Sequence, residues 1–438
     1  MHRLLISALL ATALAGCTAS PDKPVTAAAD SAANPELAKV LDAYWERSSR
    51  LFPLSATAQG DNRFNDQLPN DQTRAFRDTL TAFYTRTRAG LARFDDAALS
   101  ADDRLSLDIF RYDLDTRLAG LKMGITAAEY PVPYVIPFTQ FFGLPLTLPQ
   151  YGSGEGNQPF KSVKDYDDWL KRAGQFPAWA DSAIANFRIG LKTGVVLPRA
   201  LVVKMIPQMR DVVAKKATAS TFYGPLKKLP ADISPADRDR LGRQFQSLIS
   251  TQLNPAYQRL GDFLEKEYLP AARATSGFNA LPNGAASYAY LTRYWTTTDR
   301  TPDQIYQTGL SEVARIRAEM EKTKAEVGFK GDLKAFFEFM RNDPKFRPYT
   351  TADEVLAATR AIQARIEPNL KKMFGRTPKT PFEVRQTEAF RAASASAEYN
   401  PGAPDGSRPG TYYIPIVDVT QFNVTRGMES TFLHEALP

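Results

Sequence analysis

Histidine and cysteine are scarce in this chain. Only two of its 438 residues are histidines and one is a cysteine. His2 lies in a segment that looks removable, so the mature protein would keep only His434. Catalysis by a Ser-His or Cys-His pair, or a metal site with several histidines, must therefore use His434 or be absent. A single cysteine also excludes a disulfide within the chain.

Strong net charge and long apolar runs are missing as well. The 55 Lys and Arg residues exceed the 48 Asp and Glu residues by a formal net charge of only +7. No basic block or nucleic-acid motif occurs, so we expect no nucleic-acid partner. No segment after the N-terminus is long and apolar enough to span a bilayer. With 43% hydrophobic and 24% charged residues, the composition is typical of a globular protein. Its length predicts two or three packing units, or one large helical body.

The N-terminal region has the pattern of an export signal. Arg3 precedes an apolar stretch over 4–14 that is too short to cross a bilayer, and small residues lead to Cys17. Residues 1–16 are therefore predicted to be a signal peptide. The Leu14-Ala-Gly-Cys17 run resembles a bacterial lipobox, after which the cysteine is lipidated. Acyl chains on Cys17 would hold the protein at a membrane surface. An ordinary export signal that contains a cysteine is the alternative.

Residues 17–33 predict a flexible tether after the lipidated Cys17. They are rich in Ala, Ser, Thr, Pro and Asp, a composition that favours an unfolded linker. Thr18, which follows the cysteine, is not an inner-membrane retention signal of the Asp type. In a two-membrane bacterium this favours the outer membrane, with the protein facing the periplasm.

Helical periodicity dominates from residue 34 to about 374. Asn34 and Pro35 form a helix start, and Thr301–Gln304 and Thr351–Glu354 are capping boxes. A helical run over 234–273 is expected to break or kink near Pro255. Between 130 and 160, six prolines and several glycines predict an irregular surface crossing. This segment is a candidate lobe boundary or a loop that lines a cleft.

Short extended segments follow the helices. Residues 382–387 alternate in the manner of a half-buried strand, and 411–417 are rich in β-branched and aromatic residues. Pro415 is expected to confine the second segment to a sheet edge or a bulge. The predicted fold is mainly α, a large helical body with a small β-sheet near the C-terminal end.

The retained histidine stands directly before a glutamate. Residues 429–437 look helical, and a His-Glu pair on a helix after a β-strand is half of a zinc-hydrolase arrangement. In such sites the histidine binds the metal and the glutamate takes a proton from the metal-bound water. The strand could hold a peptide by β-augmentation. A half-buried histidine near a helix end is the alternative. The usual second histidine, four positions on, is absent because position 438 is Pro.

Several short motifs along the chain resemble those of one bacterial family. They are Pro53-Leu-Ser-Ala-Thr-Ala-Gln-Gly60, Glu267-Tyr-Leu-Pro270, Leu281-Pro-Asn-Gly284, Tyr399-Asn-Pro401 and His434-Glu-Ala-Leu-Pro438. In order and spacing they are similar to the family known as domain of unknown function 885. The resemblance covers essentially the whole mature chain, residues 34–438, as the N-terminal and central part of the family domain.

The resemblance implies a chemistry and two site residues. Family members resemble zincin-type zinc metallopeptidases and are often lipoproteins, so the implied fold is zincin-like, incomplete here, and the implied cofactor is zinc. The implied roles are zinc ligand for His434 and general base for Glu435. In the family the motif continues into Gly-His-His and further helices. We therefore expect the remaining ligands to lie beyond residue 438 and this chain to be inactive alone.

Three further residues are weaker candidates for contacts with a peptide-like substrate. Arg408 could pair with a peptide carboxylate, although a turn-stabilising or solvated arginine is the alternative. Tyr412 and Tyr413 could contact substrate or a tetrahedral intermediate, and strand packing is the alternative for at least one of them. Two functions remain open: a zinc-dependent hydrolase of peptide or amide bonds, and a non-catalytic lipoprotein that binds peptides or envelope components.

Overall fold

A computed structural model describes the chain over residues 34–126, 130–375, 377, 380–388, 392–393, 395–403, 406 and 408–437. The predicted signal peptide (1–16), the predicted tether (17–33), Cys17 and Pro438 lie outside the described residues. None of the helices in those ranges combines the length and the apolarity that crossing a membrane requires.

The described chain is mainly helical, as predicted. Sixteen α-helices occur in the described ranges: α1 (Pro35–Leu51), α2 (Pro53–Ala58), α3 (Arg74–Gly90), α4 (Ala101–Lys122), α5 (Leu144–Gly152), α6 (Val163–Ala173), α7 (Phe176–Thr193), α8 (Arg199–Val212), α9 (Pro235–Leu248), α10 (Asn254–Phe263), α11 (Leu269–Ala271), α12 (Gly284–Thr296), α13 (Pro302–Glu326), α14 (Leu333–Asn342), α15 (Ala352–Met373) and α16 (Met428–Ala436).

Side-chain caps begin several of these helices where the sequence predicts them. The Asn34 side chain accepts hydrogen bonds from the backbone N–H groups of Glu36 and Leu37, at 3.0 and 3.1 Å. Thr301 and Thr351 each complete a capping box with the residue three positions on. These caps satisfy N–H groups that have no partner inside the helix, which fixes where each helix begins.

The largest core lies among α5–α10. Large aromatic side chains fill it, among them Trp169, Phe176 and Tyr257, each fully buried. Near Pro255, where a break or kink was predicted, the chain stays helical through a π-helical turn, Ile249–Leu253, directly before α10. Pro255 occupies the first turn of α10, where a missing N–H breaks no hydrogen bond of that helix.

The proline-rich segment over 130–160 does not cross the surface as predicted. Phe138 and Leu148 are fully buried in the largest core, and α5 forms within the segment although Pro149 lies inside it. The prediction of a surface crossing was wrong because apolar residues between the prolines pack into the largest core. A lobe boundary at this segment stays a prediction.

The small sheet near the C-terminus has three strands in the order β1-β3-β2: β1 (Phe382–Gln386), β2 (Glu398–Asn400) and β3 (Gly410–Ile414). β3 pairs parallel with β1, Val384 opposite Tyr412, and antiparallel with β2, Tyr399 opposite Tyr412. The expectation that Pro415 confines this strand to an edge or a bulge was wrong. β3 ends at Ile414, so the proline follows the strand and removes no ladder hydrogen bond from it.

Candidate functional site

The helix that carries the His-Glu pair packs on the small sheet. α16 begins after Gly427, whose φ of 75° lies in the left-handed region that glycine adopts without strain. Phe432 is fully buried, and its ring centroid lies 5.7 Å from that of Tyr412 on β3. At the start of the helix, Arg365 of α15 and Glu429 form an ion pair of 2.6 Å. α16 is thus held between α15 and the sheet.

His434 and Glu435 occupy different environments on this helix. His434 is exposed, whereas Glu435 is half-buried. Consecutive residues of an α-helix point about 100° apart, so one can face solvent while the next turns toward the sheet. Glu435 lies close enough to Tyr412 for its charge to act on the phenol. The site therefore combines an exposed imidazole with a carboxylate near a buried tyrosine.

Tyr412 stays protonated over the ordinary pH range. Burial, together with a smaller effect of the negative charge of Glu435, raises the pKa of its phenol to about 12. Both effects disfavour the phenolate, burial because a charge is poorly solvated there and Glu435 because like charges repel. Tyr412 is therefore a neutral hydroxyl group close to the carboxylate of Glu435.

The two tyrosines of β3 do not lie on a strand edge. Tyr412 and Tyr413 are 3% and 6% exposed, and the backbone of β3 is paired on both sides. Because side chains alternate along a strand, Tyr413 faces away from α16. An extended peptide cannot add to β3 by β-augmentation, since the edges of the sheet, as far as the chain is described, are the outer sides of β1 and β2. Contact between either tyrosine and a substrate stays a prediction.

Arg408 links the loop before β3 to the N-terminal part of the chain. Its guanidinium donates a hydrogen bond through Nη2 to the carbonyl oxygen of Ala58, the last residue of α2. The structure does not bring Arg408 together with His434 through any contact of the described residues. Substrate binding by Arg408 stays a prediction.

The family motifs along the chain all lie within one long match to a known family. The family described as "Bacterial protein of unknown function (DUF885)" matches residues 53–438. This chain belongs to the DUF885 family. No match was found among curated proteins.

Two solved structures share the DUF885 fold seen here. A "putative lipoprotein" from Colwellia psychrerythraea superposes with a TM-score of 0.81 at 22% identity, covering 92% of this chain and 70% of that chain. A "putative lipoprotein of unknown function" from Shewanella oneidensis has a TM-score of 0.59 at 16% identity, covering 93% of this chain and 71% of that chain. At these identities the likeness shows the fold alone.

The donor groups that the structure describes in this DUF885 chain do not by themselves fit a zinc centre. A catalytic zinc generally has three protein ligands. Within the described ranges, no group of three or more His, Cys, Asp or Glu side chains is placed to hold a metal ion. His434 is one suitable donor, and a centre with three protein ligands would need at least one donor from outside those ranges. Zinc therefore stays a prediction.

One buried arginine of the DUF885 domain was not predicted from the sequence. Arg172 of α6 is 0% exposed. It lies three positions after the buried Trp169, on the apolar face of its helix. A cation within an apolar stripe was the signal that could have revealed it, because a buried charge requires a full set of hydrogen-bond partners.

Proposed function

We propose that this DUF885 protein is an exported lipoprotein whose C-terminal helix supplies part of a hydrolytic site for peptide or amide bonds. In this proposal His434 is one zinc ligand and Glu435 is the general base. The observation that supports it is the position of Glu435 on α16, close to the neutral phenol of Tyr412, directly beside an exposed imidazole.

The environment of Glu435 suits a general base. A base must be ionised and able to reach the proton that it takes. Glu435 is half-buried and not sealed in the core, so a substrate can approach it. Tyr412 is protonated below its pKa of about 12 and can donate a hydrogen bond, which would orient a nearby carboxylate or stabilise an oxyanion.

The proposal covers the contribution of this helix and not a complete reaction path. The donor groups of the described residues do not make a zinc centre alone. The remaining ligands would have to come from outside those residues, as the Gly-His-His continuation of the family motif implies. We therefore expect residues 1–438 to have little or no hydrolytic activity by themselves.

The proposed location rests on the N-terminal sequence and on the relatives. Cys17 follows a lipobox-like run, and both structural relatives carry the description "putative lipoprotein". We propose that lipidated Cys17 anchors the protein in a membrane. We expect this to be the outer membrane, with the protein on its periplasmic side. Cys17→Ser should move the protein from the membrane fraction to the soluble fraction. Retention of the variant in the membrane would refute lipid anchoring through this residue.

The zinc proposal is tested by comparing this chain with a longer one. The DNA after codon 438 should encode Gly-His-His in frame. We expect about one bound zinc per molecule in the protein extended through that sequence, and little in residues 1–438. Negligible zinc in both the 438-residue chain and the extended protein would refute the metal proposal.

Single substitutions in the extended protein separate the two roles. His434→Ala should lose both zinc and hydrolysis of a fluorogenic peptide library. Glu435→Gln should keep zinc and lose hydrolysis, because the amide cannot accept the proton. Arg385→Gln, on the neighbouring strand β1, is the matched control and should keep both. If both site variants keep the biological phenotype of the protein, a non-catalytic binding lipoprotein is the better account.

A further inference from the structure

The helix α13 exposes a continuous apolar face. This helix has 25 residues, and none of them is buried. Soluble monomers seldom expose a large contiguous apolar patch unless it is an interaction site. Six of them follow one side of α13 and the turn after it, with exposed fractions between 40% and 66%: Tyr306, Leu310, Val313, Ile316, Met320 and Val327.

A groove adjoins the C-terminal end of this face. It lies between α13 and α14 and has a volume of about 860 Å³. Phenylalanines are the largest group in its lining, which also includes two methionines, two lysines and one glutamate: Phe329, Phe336, Phe337, Phe339, Phe346, Met320, Met340, Lys330, Lys345 and Glu319. The apolar face of α13 and this groove together form one surface, which we call the α13 surface.

The spacing of the apolar residues indicates that the occupant is a helix. From Tyr306 to Met320 they recur three or four positions apart. This spacing is typical of the apolar seam by which one helix packs against another. From Tyr306 to Val327 the face is roughly 30 Å long at about 1.5 Å per residue. A small ligand could fill the groove but would leave most of this face in water.

The charges beside the seam indicate an acidic occupant. Arg315 and the lysines of α13 are engaged by glutamates of the same helix, as in the pair of Arg315 with Glu319 at 2.8 Å. By contrast, the ion pairs found within the described ranges include neither Arg317 nor Lys330. Lys345 lies over the ring of Phe339, with its Nζ 4.3 Å from the ring centroid. Carboxylates on a helix that docks here would form ion pairs with these cations at the seam and the groove.

The DUF885 relatives offer a source for such a helix. The match covers 92% of this chain but only 70% of the Colwellia chain, so the rest of that chain has no counterpart in the match. The C-terminal part of this chain also runs close to the groove. The Asn423 side chain donates hydrogen bonds to the carbonyl oxygens of Met340 and Arg341, at 2.8 and 3.4 Å, at the end of α14.

We propose that the α13 surface binds an amphipathic helix. This helix belongs to the part of longer DUF885 proteins that has no counterpart in the match to this chain. The apolar residues of that helix recur three or four positions apart, and acidic residues flank them. Docking completes the helical packing around α13 and closes the groove. This role is independent of any metal at His434.

Cysteine labelling tests the proposal, since the chain has a single natural cysteine. Cys17 is replaced by Ser, and Val313→Cys or Ser311→Cys is introduced. Val313 is 66% exposed on the seam, while Ser311 is exposed two positions away, on the opposite side of the helix. Both variants are made in the 438-residue chain and in the protein extended through the codons that follow. The rate of reaction with a maleimide is measured for each.

In the 438-residue chain we expect Val313→Cys and Ser311→Cys to react at similar rates. In the extended protein Val313→Cys should react at least tenfold more slowly, with Ser311→Cys unchanged. Arg317→Glu should restore most of the reactivity. A stop codon after position 438, or equal rates for Val313→Cys in both proteins, overturns the proposal. Protection within the 438-residue chain together with a dimer mass by light scattering also overturns it, because a second copy is then the occupant.

Discussion

Arg172 is expected to hold the N-terminal motif of the family domain against the helical body. Its five N–H groups donate to the carbonyl oxygens of Gln67, Phe64 and Pro53 and to the side chains of Gln158 and Thr57. None of these acceptors is a carboxylate, so neutral hydrogen-bond acceptors stabilise the buried charge. Removing the guanidinium by Arg172→Met should therefore release the segment over residues 53–68.

The cost of this substitution follows from two opposing effects. Four of the hydrogen bonds have lengths between 2.6 and 3.1 Å, and each bond to a charged group contributes about 2 kcal/mol. Burial lowers the pKa of Arg172 to about 10, and this desolvation corresponds to about 3 kcal/mol that Met does not incur. The difference predicts that Arg172→Met lowers the free energy of unfolding by about 5 kcal/mol.

The assay is urea unfolding, followed by far-UV circular dichroism and by the fluorescence of the buried Trp169 and Trp179. Arg188→Met is the matched control, because the ion pair of Arg188 with Glu267 is 52% and 47% exposed and should contribute less than about 1 kcal/mol. Arg172→Lys should lose nearly as much as Arg172→Met, since an ammonium cannot reproduce the planar fork. Equal losses for Arg172→Met and Arg188→Met, or full stability of Arg172→Lys, would refute the reasoning.

Three further outcomes are expected. Phe432→Ala should lower the free energy of unfolding by about 3–4 kcal/mol, because it opens a cavity between α16 and the sheet; urea unfolding with near-UV circular dichroism measures it. Arg365→Ala should cost less than about 1 kcal/mol by the same assay, because its ion pair with Glu429 is exposed. Above pH 10, and until the phenols of the folded protein titrate, stability should fall by at least about 5 kcal/mol per pH unit, since unfolded phenols lose protons near pH 10 while at least four buried ones keep theirs; phenolate absorbance and circular dichroism should change together. These phenols have pKa values raised by burial: Tyr84, Tyr257, Tyr268 and Tyr412.

The helix starts could be predicted from the sequence because their causes are local. A cap depends on a side chain and on backbone groups two or three residues away, as for Thr301 with Gln304. The capping box of Thr351 with Glu354 has the same basis. Such interactions form whenever the segment is helical, whatever the rest of the chain does.

The order of the strands could not be predicted in this way. β3 is central because it pairs with β1, more than twenty residues earlier, and with β2 on its other side. Neither pairing leaves a trace in the local periodicity of the strands. Pro415 suggested an edge only because the strand was expected to run through it, whereas β3 ends one residue before it. The proximity of Glu435 to Tyr412 could not be predicted for the same reason, because it requires α16 to lie across the sheet.

The candidate site and the helical body are held by different cores. Val355 of α15, Tyr412 of β3 and Phe432 of α16 share one apolar cluster, which contains no residue of α5–α10. The hydrogen bond from Arg408 to Ala58 is a polar link between this cluster and α2. Loss of Arg172 should therefore weaken the body while the surroundings of Tyr412 stay folded, and loss of Phe432 should do the reverse. Because α15, the sheet and α16 share one core, the position of Glu435 beside Tyr412 depends on their packing and not on the helical body.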